Sequence, residues 1–324
     1  MPLLPPEAIL QAAARISGLV KRTRVIRSDK LTRLTGQDIR LKLENEQTTG
    51  SFKLRGAMNV LASLDEETRA RGVVASSAGN HGLGVAYAAK HFGVKATIFI
   101  PSTAPQVKRD GIRALGAAVD DRQPHYDAAM DAAKALAAER GSRFINPCLG
   151  DDLLAGQGTV ALEILAECPG VDTVVLSVGG GGLLGGCASL IRAEAPGVRI
   201  VGAQSENTAA MSRSLKANRL VEIENLPTLA DGLAGQIDDE ALEIGRAGLD
   251  EIVTVTEQEI GDAILWLLDQ NGIRAEGAGA VGVAAILSEK FRPSGETVVV
   301  ISGGNIDPSR IDGIRTLRNR AAQP

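Results

Sequence analysis

TVVLSVGGGGLLGG, residues 173–186, decides the fold class of this 324-residue chain. A run of β-branched and apolar residues, typical of a buried strand, leads into four consecutive glycines and then into an apolar helical pattern. Glycines leave their backbone N–H groups uncovered, and the helix that follows adds the positive end of its dipole. The stretch therefore predicts a phosphate-binding loop between a strand and a helix, formed by Gly179, Gly180, Gly181 and Gly182.

The same alternation of strand and helix patterns runs through the rest of the chain. Strand-like runs rich in Val and Ile are separated by helix-length segments rich in Ala, Leu and Glu. Because such strands are apolar on both faces, they indicate an α/β fold with a parallel sheet covered by helices. We predict strands at 39–44, 73–77, 96–100, 173–178, 198–204, 251–256 and 297–302, and helices at 6–16, 81–92, 125–140, 152–167, 183–194, 257–270 and 308–318.

The length of the chain indicates about two domains. We predict a small domain at 72–149 and a large, discontinuous domain formed by residues 1–71 and 150–324. Ligands of open α/β sheets bind beyond the carboxyl ends of the strands, which is where the glycine clusters of this sequence lie. We therefore expect the ligand site at that edge of the large domain.

Composition and charge exclude several classes of function. The net charge of −4 and the scarcity of aromatic residues (one Trp, two Tyr, five Phe) leave no footprint for nucleic acid. The sequence has neither an apolar run that could span a membrane nor a secretory signal. Its three scattered cysteines predict neither a disulfide framework nor a metal site. We expect a soluble cytoplasmic protein with no nucleic-acid, membrane or metal partner.

Lys53 is the first candidate catalytic residue. It lies in TTGSFKLRGA, residues 48–57, where a Gly-Ser turn enters a helical pattern. An amine placed at such a helix start can face a cleft and act as a nucleophile. Taken alone, the segment favours a turn that carries a solvated surface lysine over a catalytic one.

Two further segments follow predicted strands. SSAGNHG, residues 76–82, forms either an anion site suited to a carboxylate or an ordinary capped helix entry. ISGGN, residues 301–305, places the hydroxyl of Ser302 beside two glycines, where it either approaches a flat ring or ends a strand. Both interpretations stay open for each segment.

A nicotinamide dinucleotide is the competing ligand for the glycine loop. Gly180, Gly182 and Gly185 fit the G-x-G-x-x-G pattern, and Glu206 lies near the end of the next predicted strand. That pattern predicts an oxidoreductase. It leaves Lys53 and the glycine pair after Ser302 without a role.

Taken together and in order, the segments resemble the fold-type II pyridoxal-phosphate enzymes, specifically the serine/threonine dehydratase and serine racemase group. The resemblance implies two open, twisted, mostly parallel sheets flanked by helices, like the tryptophan synthase β-subunit. It also implies that the large domain binds pyridoxal 5'-phosphate. The matching segments are TGSFKLRGA (49–57), SAGNHG (77–82), AGQGT (155–159), SVGGGGLLGG (177–186), ADG (230–232) and SGGN (302–305).

The resemblance assigns roles residue by residue. Lys53 corresponds to the Schiff-base lysine and general base, Asn80 to the partner of the ring hydroxyl, and Ser302 to the residue facing the pyridine nitrogen. The implied catalytic residues are Lys53, Ser77 and Asn80. The implied cofactor-binding residues are Phe52, Lys53, Asn80, Gly179, Gly180, Gly181, Gly182, Leu183 and Ser302. The implied substrate-binding residues are Ser51, Ser77, Ala78, Asn80, His81 and Gly232.

The implied activity is that of a pyridoxal-phosphate-dependent dehydratase, an ammonia-lyase. It converts a β-hydroxy amino acid such as threonine or serine to a 2-oxo acid and ammonia, in a homodimer or larger homo-oligomer. Ala78 stands where serine racemases carry a catalytic serine, which favours a dehydratase over a racemase. Hydroxyaspartate, phenylserine and a hydroxylated diaminobutyrate derivative from hydroxyectoine breakdown remain alternative substrates.

Other departures from the family concern a cation and regulation. Many relatives bind a divalent cation through a carboxylate where this chain has Ser205, with Ala209 and Met211 at the other ligand positions, so we expect no metal. The segment 274–279 lacks the proline that often follows its glutamate in the family. Because the sequence ends at residue 324, we expect no regulatory extension and no feedback control by isoleucine.

Overall fold

A computed structural model describes residues 3–224 and 226–321 of the chain. The strands within them are β1 (Val25–Arg27), β2 (Ile39–Leu43), β3 (Val73–Ser76), β4 (Ala96–Pro101), β5 (Ala118–Gln123), β6 (Arg143–Phe144), β7 (Thr173–Ser177), β8 (Arg199–Ser205), β9 (Glu251–Val255) and β10 (Thr297–Ile301). The helices are α1 (Pro6–Arg15), α2 (Asp29–Thr35), α3 (Lys53–Ser63), α4 (Glu66–Arg71), α5 (Asn80–Phe92), α6 (Gln106–Ala114), α7 (Tyr126–Arg140), α8 (Asp151–Glu167), α9 (Gly182–Glu194), α10 (Ala210–Ala217), α11 (Asp239–Gly248), α12 (Glu257–Asn271), α13 (Gly277–Leu287) and α14 (Pro308–Ala321).

The strands form two sheets. The larger has the order β1-β2-β10-β7-β8-β9, and its pairs are parallel except for β1 with β2. The smaller has the order β5-β4-β3-β6 and is parallel throughout. Helices pack against both sheets, so the predicted α/β class with two mostly parallel sheets is confirmed.

The smaller sheet is built from residues 73–144, inside the predicted small domain at 72–149. Helix α3, which precedes that range, packs its buried side chains into the hydrophobic cluster of β3 and β4. The exact boundary between the predicted domains therefore depends on where α3 is assigned. The division into 72–149 against 1–71 and 150–324 stays a prediction.

All of the predicted elements are present, with ends shifted by at most three residues. Strands β7 and β10 are buried along their whole length, which is why their Val-rich runs were readable from sequence. Helix α13, with the sequence GAGAVGVAAIL, was not predicted because it is buried almost all round and has no polar face. Strand β1 was also not predicted, since it has only three residues and a half-exposed edge position.

A buried cluster of four charged side chains, which we call the Arg55 cluster, fixes α3 against β2 and α8. Arg55 and Glu44 are fully buried, and the Arg55 guanidinium donates two hydrogen bonds of 2.8 Å to the Glu44 carboxylate. It also donates to Glu163 at 2.7 and 2.9 Å. Lys42 Nζ donates to the same Glu163 at 2.5 Å. The cluster is electrically neutral, and it lies two residues beyond Lys53.

No helix within residues 3–224 and 226–321 is long and apolar enough to span a membrane. The carboxyl ends of β3, β7 and β10 lead into the three segments that sequence analysis singled out, residues 76–82, 177–186 and 301–305. The fold thus places them where open α/β sheets bind ligands.

Candidate active site

Lys53 is the first residue of α3 and is half-buried. Its Nζ donates a hydrogen bond of 2.6 Å to the carbonyl of Pro147 and lies 5.2 Å from the ring centroid of Phe52. Glycine at position 84 lets α5 approach closely, because a Cβ there would lie 3.3 Å from the Lys53 carbonyl. The backbone of Lys53 is therefore packed against α5 while its amine is hydrogen-bonded to the loop at residue 147, so Lys53 is not a fully solvated surface lysine.

The glycine loop joins β7 to α9. A Cβ on Gly179 would lie 2.9 Å from Leu233 Cα, and one on Gly180 would lie 2.5 Å from Cys148 Sγ. Gly181 has a φ of 90°, which an L side chain rarely adopts, and Gly182 opens the 13-residue helix α9. The loop is thus a narrow cradle of bare backbone at a helix N-terminus, as an anion site requires. Leu183 does not line an open surface: it is buried in the hydrophobic cluster that also contains Phe52.

Ser302 lies at the end of β10 and is buried. Its Oγ donates a hydrogen bond of 3.2 Å to the carbonyl of Ala278, and its own carbonyl accepts from the backbone N–H of Phe52 at 3.1 Å. Ser51, which precedes Phe52, forms an antiparallel bridge with Gly303 and is fully buried. These contacts attach the segment before Lys53 to the end of β10.

Asn80 is the first residue of α5. Its Nδ2 donates a 2.5 Å hydrogen bond to Glu276 Oε1, and its Oδ1 accepts one of 2.7 Å from Asn305 Nδ2. Asn305 Nδ2 also donates to the carbonyl of Thr49 at 2.8 Å. The amide is therefore held at both ends by residues outside α5, one that precedes α13 and one in the loop after β10. Neither Glu276 nor Asn305 was among the predicted site residues, although Asn305 lies in the segment 301–305, because they meet Asn80 only in the folded chain.

The turn between β3 and α5 contains the other predicted substrate-binding residues. Ser77 Oγ accepts a hydrogen bond of 3.1 Å from the N–H of Gly79, and Ala78 packs beside the hydrophobic cluster of β3. His81 is buried, and its Nε2 lies 3.0 Å from the carbonyl of Ile145. Burial, together with the positive charge of Lys53, lowers the pKa of His81 to about 3.

His81 is consequently a neutral ring that cannot offer positive charge to a substrate carboxylate. With Nε2–H donating to Ile145, the Nδ1 lone pair is left without a partner among the described residues. The N–H groups of the first turn of α5 are the better anion donors, since no side chain of the described chain caps this helix.

These segments close into one structure, which we call the contact ring, defined as residues 52–53, 147–148, 179–182, 232–233, 278 and 302. Lys53 contacts Pro147, whose neighbour Cys148 borders Gly180 and Gly182. On the other side, Gly179 lies against Leu233, and a Cβ on Gly232 would lie 3.2 Å from Ala278 Cβ. Ser302 is hydrogen-bonded both to Ala278 and to Phe52, and Phe52 directly precedes Lys53 in the chain.

The contact ring fits a flat cofactor that carries a phosphate. It combines an amine, a bare-backbone cradle at a helix start and a hydroxyl at a strand end, with the Asn80 amide alongside. The cradle is shaped by close approach, since Cβ atoms on Gly179 and Gly180 would collide with Leu233 and Cys148. The hydroxyl of Ser177, immediately before the loop, is buried with no hydrogen-bond partner within the part of the chain that the structure describes.

Ser205, at the position where the family resemblance implies a cation ligand, is part of a hydrogen-bonded anchor. Glu257 accepts from Ser205 Oγ at 2.5 Å, from Thr228 Oγ1 at 2.8 Å and from the N–H of Leu229 at 2.5 Å. It thereby ties the segment before Gly232 to the end of β8. Within residues 3–224 and 226–321, no group of three or more His, Cys, Asp or Glu side chains could hold a metal ion.

Comparison with known proteins decides between the two cofactors. A family model described as pyridoxal-phosphate dependent enzyme matches residues 16–303. This chain belongs to that family. The predicted cofactor and the predicted relationship are confirmed, and the nicotinamide alternative is wrong. Gly185 in that pattern packs against Leu154 and Ile244 inside the core, and Glu206 is exposed.

Among curated relatives of this pyridoxal-phosphate-dependent enzyme is an L-threonine ammonia-lyase from Thermotoga maritima. It is 46% identical over 309 residues, which cover 95% of this chain and 77% of the relative. Among solved structures, a threonine deaminase from T.th. has a TM-score of 0.88 at 35% identity, covering 94% of this chain and 99% of that one. Maize serine racemase has a TM-score of 0.91 at 31% identity, covering 98% and 99%.

Proposed function

We propose that this pyridoxal-phosphate-dependent enzyme is an ammonia-lyase that converts a β-hydroxy amino acid, with L-threonine as the first candidate and L-serine as the second, to a 2-oxo acid and ammonia. The observation that carries the proposal is the contact ring, which joins an amine to a phosphate cradle in a chain 46% identical to an L-threonine ammonia-lyase. Hydroxyaspartate, phenylserine and the hydroxyectoine-derived amino acid are alternative substrates.

The chain's own residues account for the steps of such a reaction. Pyridoxal phosphate supplies, when bound, an electron sink for the pair released as the Cα–H bond breaks. The backbone N–H groups of residues 179–182 would bind the phosphate, and the first turn of α5 would bind the substrate carboxylate. Lys53 Nζ, held by its hydrogen bond to Pro147, would take the Cα proton and, once protonated, would supply a proton to the departing β-hydroxyl, so that water leaves. The neutral hydroxyl of Ser302 would lie beside the ring nitrogen of a bound cofactor and would supply no charge to it.

Racemisation is the second candidate, favoured by the similarity to maize serine racemase. It needs a proton donor on the face of the substrate opposite Lys53, where the corresponding position in this chain is the methyl group of Ala78. We therefore rank elimination first. Replacing Ala78 with serine and measuring D-serine formation tests this ranking, and D-serine formation by the native chain would reverse it.

The finer biological setting belongs to the same proposal. A cytoplasmic location is supported by the three cysteines, Cys148, Cys168 and Cys187, which are all free thiols. A homodimer or larger homo-oligomer is proposed from the family resemblance alone. The roles given to Lys53, Ser77, Asn80 and the other site residues are likewise proposals, supported by the contacts described above.

The test is an assay of 2-oxo acid and ammonia release from a panel of β-hydroxy amino acids. Lys53→Ala lowers turnover by at least about 100-fold, as expected for loss of a general base. The control is Lys134→Ala, which removes an exposed lysine of α7. Borohydride treatment followed by peptide mapping should label Lys53. Unchanged turnover in Lys53→Ala, or label on another lysine, contradicts the mechanism.

A further inference from the structure

Glu276 is a buried carboxylate that the proposed reaction does not use. It precedes α13 and is only 7% exposed. Its N–H donates to the carbonyl of Gly303 at 3.1 Å, and its Oε1 lies 2.3 Å from where a Cβ on Gly303 would be. The same Oε1 accepts from Asn80 Nδ2 at 2.5 Å. Glu276 thus contacts both the loop after Ser302 and the start of α5.

The contacts of Asn80 leave one orientation for its amide. Asn305 Nδ2 is a donor, so the Asn80 atom that faces it must be Oδ1, and Nδ2 must face Glu276. A carboxylate at position 276 is a pure acceptor and enforces this arrangement. One N–H of Asn80 Nδ2 is then committed to Glu276, and the second remains for a ligand.

Charged groups from two other elements face Glu276. Asp231, in the turn at residues 231–233, adds negative charge, and Lys108 of α6 adds positive charge. These two side chains form an ion pair of 3.2 Å with each other, and Arg310 of α14 lies 3.5 Å from the same Asp231 oxygen. The remaining polar neighbours of the carboxylate are the Asn80 amide and the backbone N–H of Asn305.

We propose that Glu276 is a positioning residue that orients the Asn80 amide toward the ring hydroxyl of the cofactor. The strength of its hydrogen bond with Asn80 depends on whether the Glu276 carboxylate is charged. The inference rests on the proposed binding of pyridoxal phosphate in the contact ring. It does not depend on which amino acid is the substrate. It makes cofactor binding respond to pH through a residue that touches neither phosphate nor substrate.

The direction of the response follows from the state of the carboxylate. Burial, and after it the negative charge of Asp231, raises the pKa of Glu276 to about 7. Above that pH the carboxylate is charged, and a hydrogen bond from an amide to a charged acceptor is about twice as strong as one to a neutral acceptor. Below that pH the hydrogen bond from Asn80 to Glu276 is weaker, so we expect the affinity for pyridoxal phosphate to fall.

The experiment compares Glu276→Gln with the native chain in titrations of the cofactor-free full chain with pyridoxal phosphate. Glutamine has the shape of the protonated acid, so the two dissociation constants should agree near about pH 5.5 and differ about fivefold near about pH 8.5. Taking the ratio of the two dissociation constants at each pH cancels every pH effect that both chains share. A ratio that does not change with pH overturns the proposal.

Two variants that retain Glu276 make the test independent of how well Glu276→Gln folds. Asp231→Asn removes a group that raises the pKa of Glu276, so near pH 6.5 this variant should bind pyridoxal phosphate more tightly than the native chain. Lys108→Gln removes a group that lowers it, and should bind less tightly. Changes in the same direction for both variants overturn the proposal.

The outcomes separate this proposal from the proposed reaction. A chain that shows the expected pH-dependent ratios but releases no 2-oxo acid contradicts the reaction and supports the role of Glu276. A chain that is active with pH-independent ratios contradicts only the role of Glu276. Failure of the native chain to bind pyridoxal phosphate at all overturns both.

Discussion

Replacing Arg55 with methionine removes the central cation of the Arg55 cluster and leaves the side chain's volume largely filled. Burial opposes a charge on Arg55, but Glu44 and Glu163 outweigh it and hold the pKa of the guanidinium above its usual value. In the variant, Glu163 keeps Lys42 as a partner at 2.5 Å, whereas Glu44 keeps only the hydroxyl of Thr23. The cluster changes from neutral to a net charge of −1.

The expected loss of stability is large because a buried carboxylate is left without a cation. Removing one partner of a buried ion pair costs about 3–5 kcal/mol, a large part of the ~5–15 kcal/mol that stabilises a typical folded protein. Arg292→Met is the control, since Arg292 and its partner Glu289 are 80% and 72% exposed. Such exposed pairs contribute about 0–1 kcal/mol.

The pH dependence of this deficit, the unfolding free energy that Arg55→Met loses, identifies its cause. Burial would raise the pKa of Glu163, but Arg55 and Lys42 hold it below its usual range. A carboxylate whose folded pKa is lowered stabilises the fold above its unfolded pKa and loses that contribution as the pH falls. Without Arg55 the buried carboxylates instead take up a proton more readily, so the deficit should shrink from pH 8 to pH 5.

Urea unfolding followed by circular dichroism, on cofactor-free protein at both pH values, measures the deficit. The double variant Arg55→Met with Glu44→Gln removes the unpaired charge and should be more stable at pH 8 than Arg55→Met alone. Equal unfolding midpoints for Arg55→Met and Arg292→Met would refute the reasoning. A deficit of the same size at pH 5 and pH 8 would refute the electrostatic part of it.

Three other predictions concern the site. Gly180→Ala brings a Cβ within 2.5 Å of Cys148 Sγ, so the affinity for pyridoxal phosphate, measured by titration, should fall about tenfold. Adding Cys148→Gly should restore part of that affinity. If it restores none, the clash with Cys148 is not the cause. The pKa of Glu276 is raised from 4.5 to about 7, so the free energy of unfolding should decrease by about 3 kcal/mol as the pH rises between those values. Urea unfolding of Glu276→Gln should lack this pH dependence. If the pH dependence persists in the variant, Glu276 is not its source. Glu257→Gln weakens three hydrogen bonds and lowers unfolding free energy by about 2 kcal/mol; an unchanged melting temperature contradicts this anchor.

The sequence predicted the parts of the fold whose signal is local. Strands such as β7 and β10 are recognisable from sequence because both of their faces are buried and their residues are therefore apolar throughout. The glycine loop is recognisable because it separates an apolar strand from an apolar helix. Helix α13 has no such signal: its residues are apolar or small on every side, so periodicity cannot separate it from a strand or a loop.

The site was predictable only as separate segments. Lys53, Asn80, residues 179–182 and Ser302 each carry a local pattern, and the family resemblance supplied their relationship. The hydrogen bond between Asn80 and Glu276 joins residues 196 positions apart, and nothing in the sequence around either one indicates the other. The contact of Cys148 with the glycine loop is equally invisible, because a single cysteine near Pro147 has no pattern of its own.

The contact ring draws on stretches from nearly the whole length of the polypeptide, and Asn305 reaches back 256 positions to Thr49 to brace it. A chain that lacks either end of this range therefore lacks part of the ring, and we expect binding of pyridoxal phosphate to report complete assembly. Because a ligand that binds only the native state stabilises it by mass action, the melting temperature of this protein should rise with the concentration of pyridoxal phosphate.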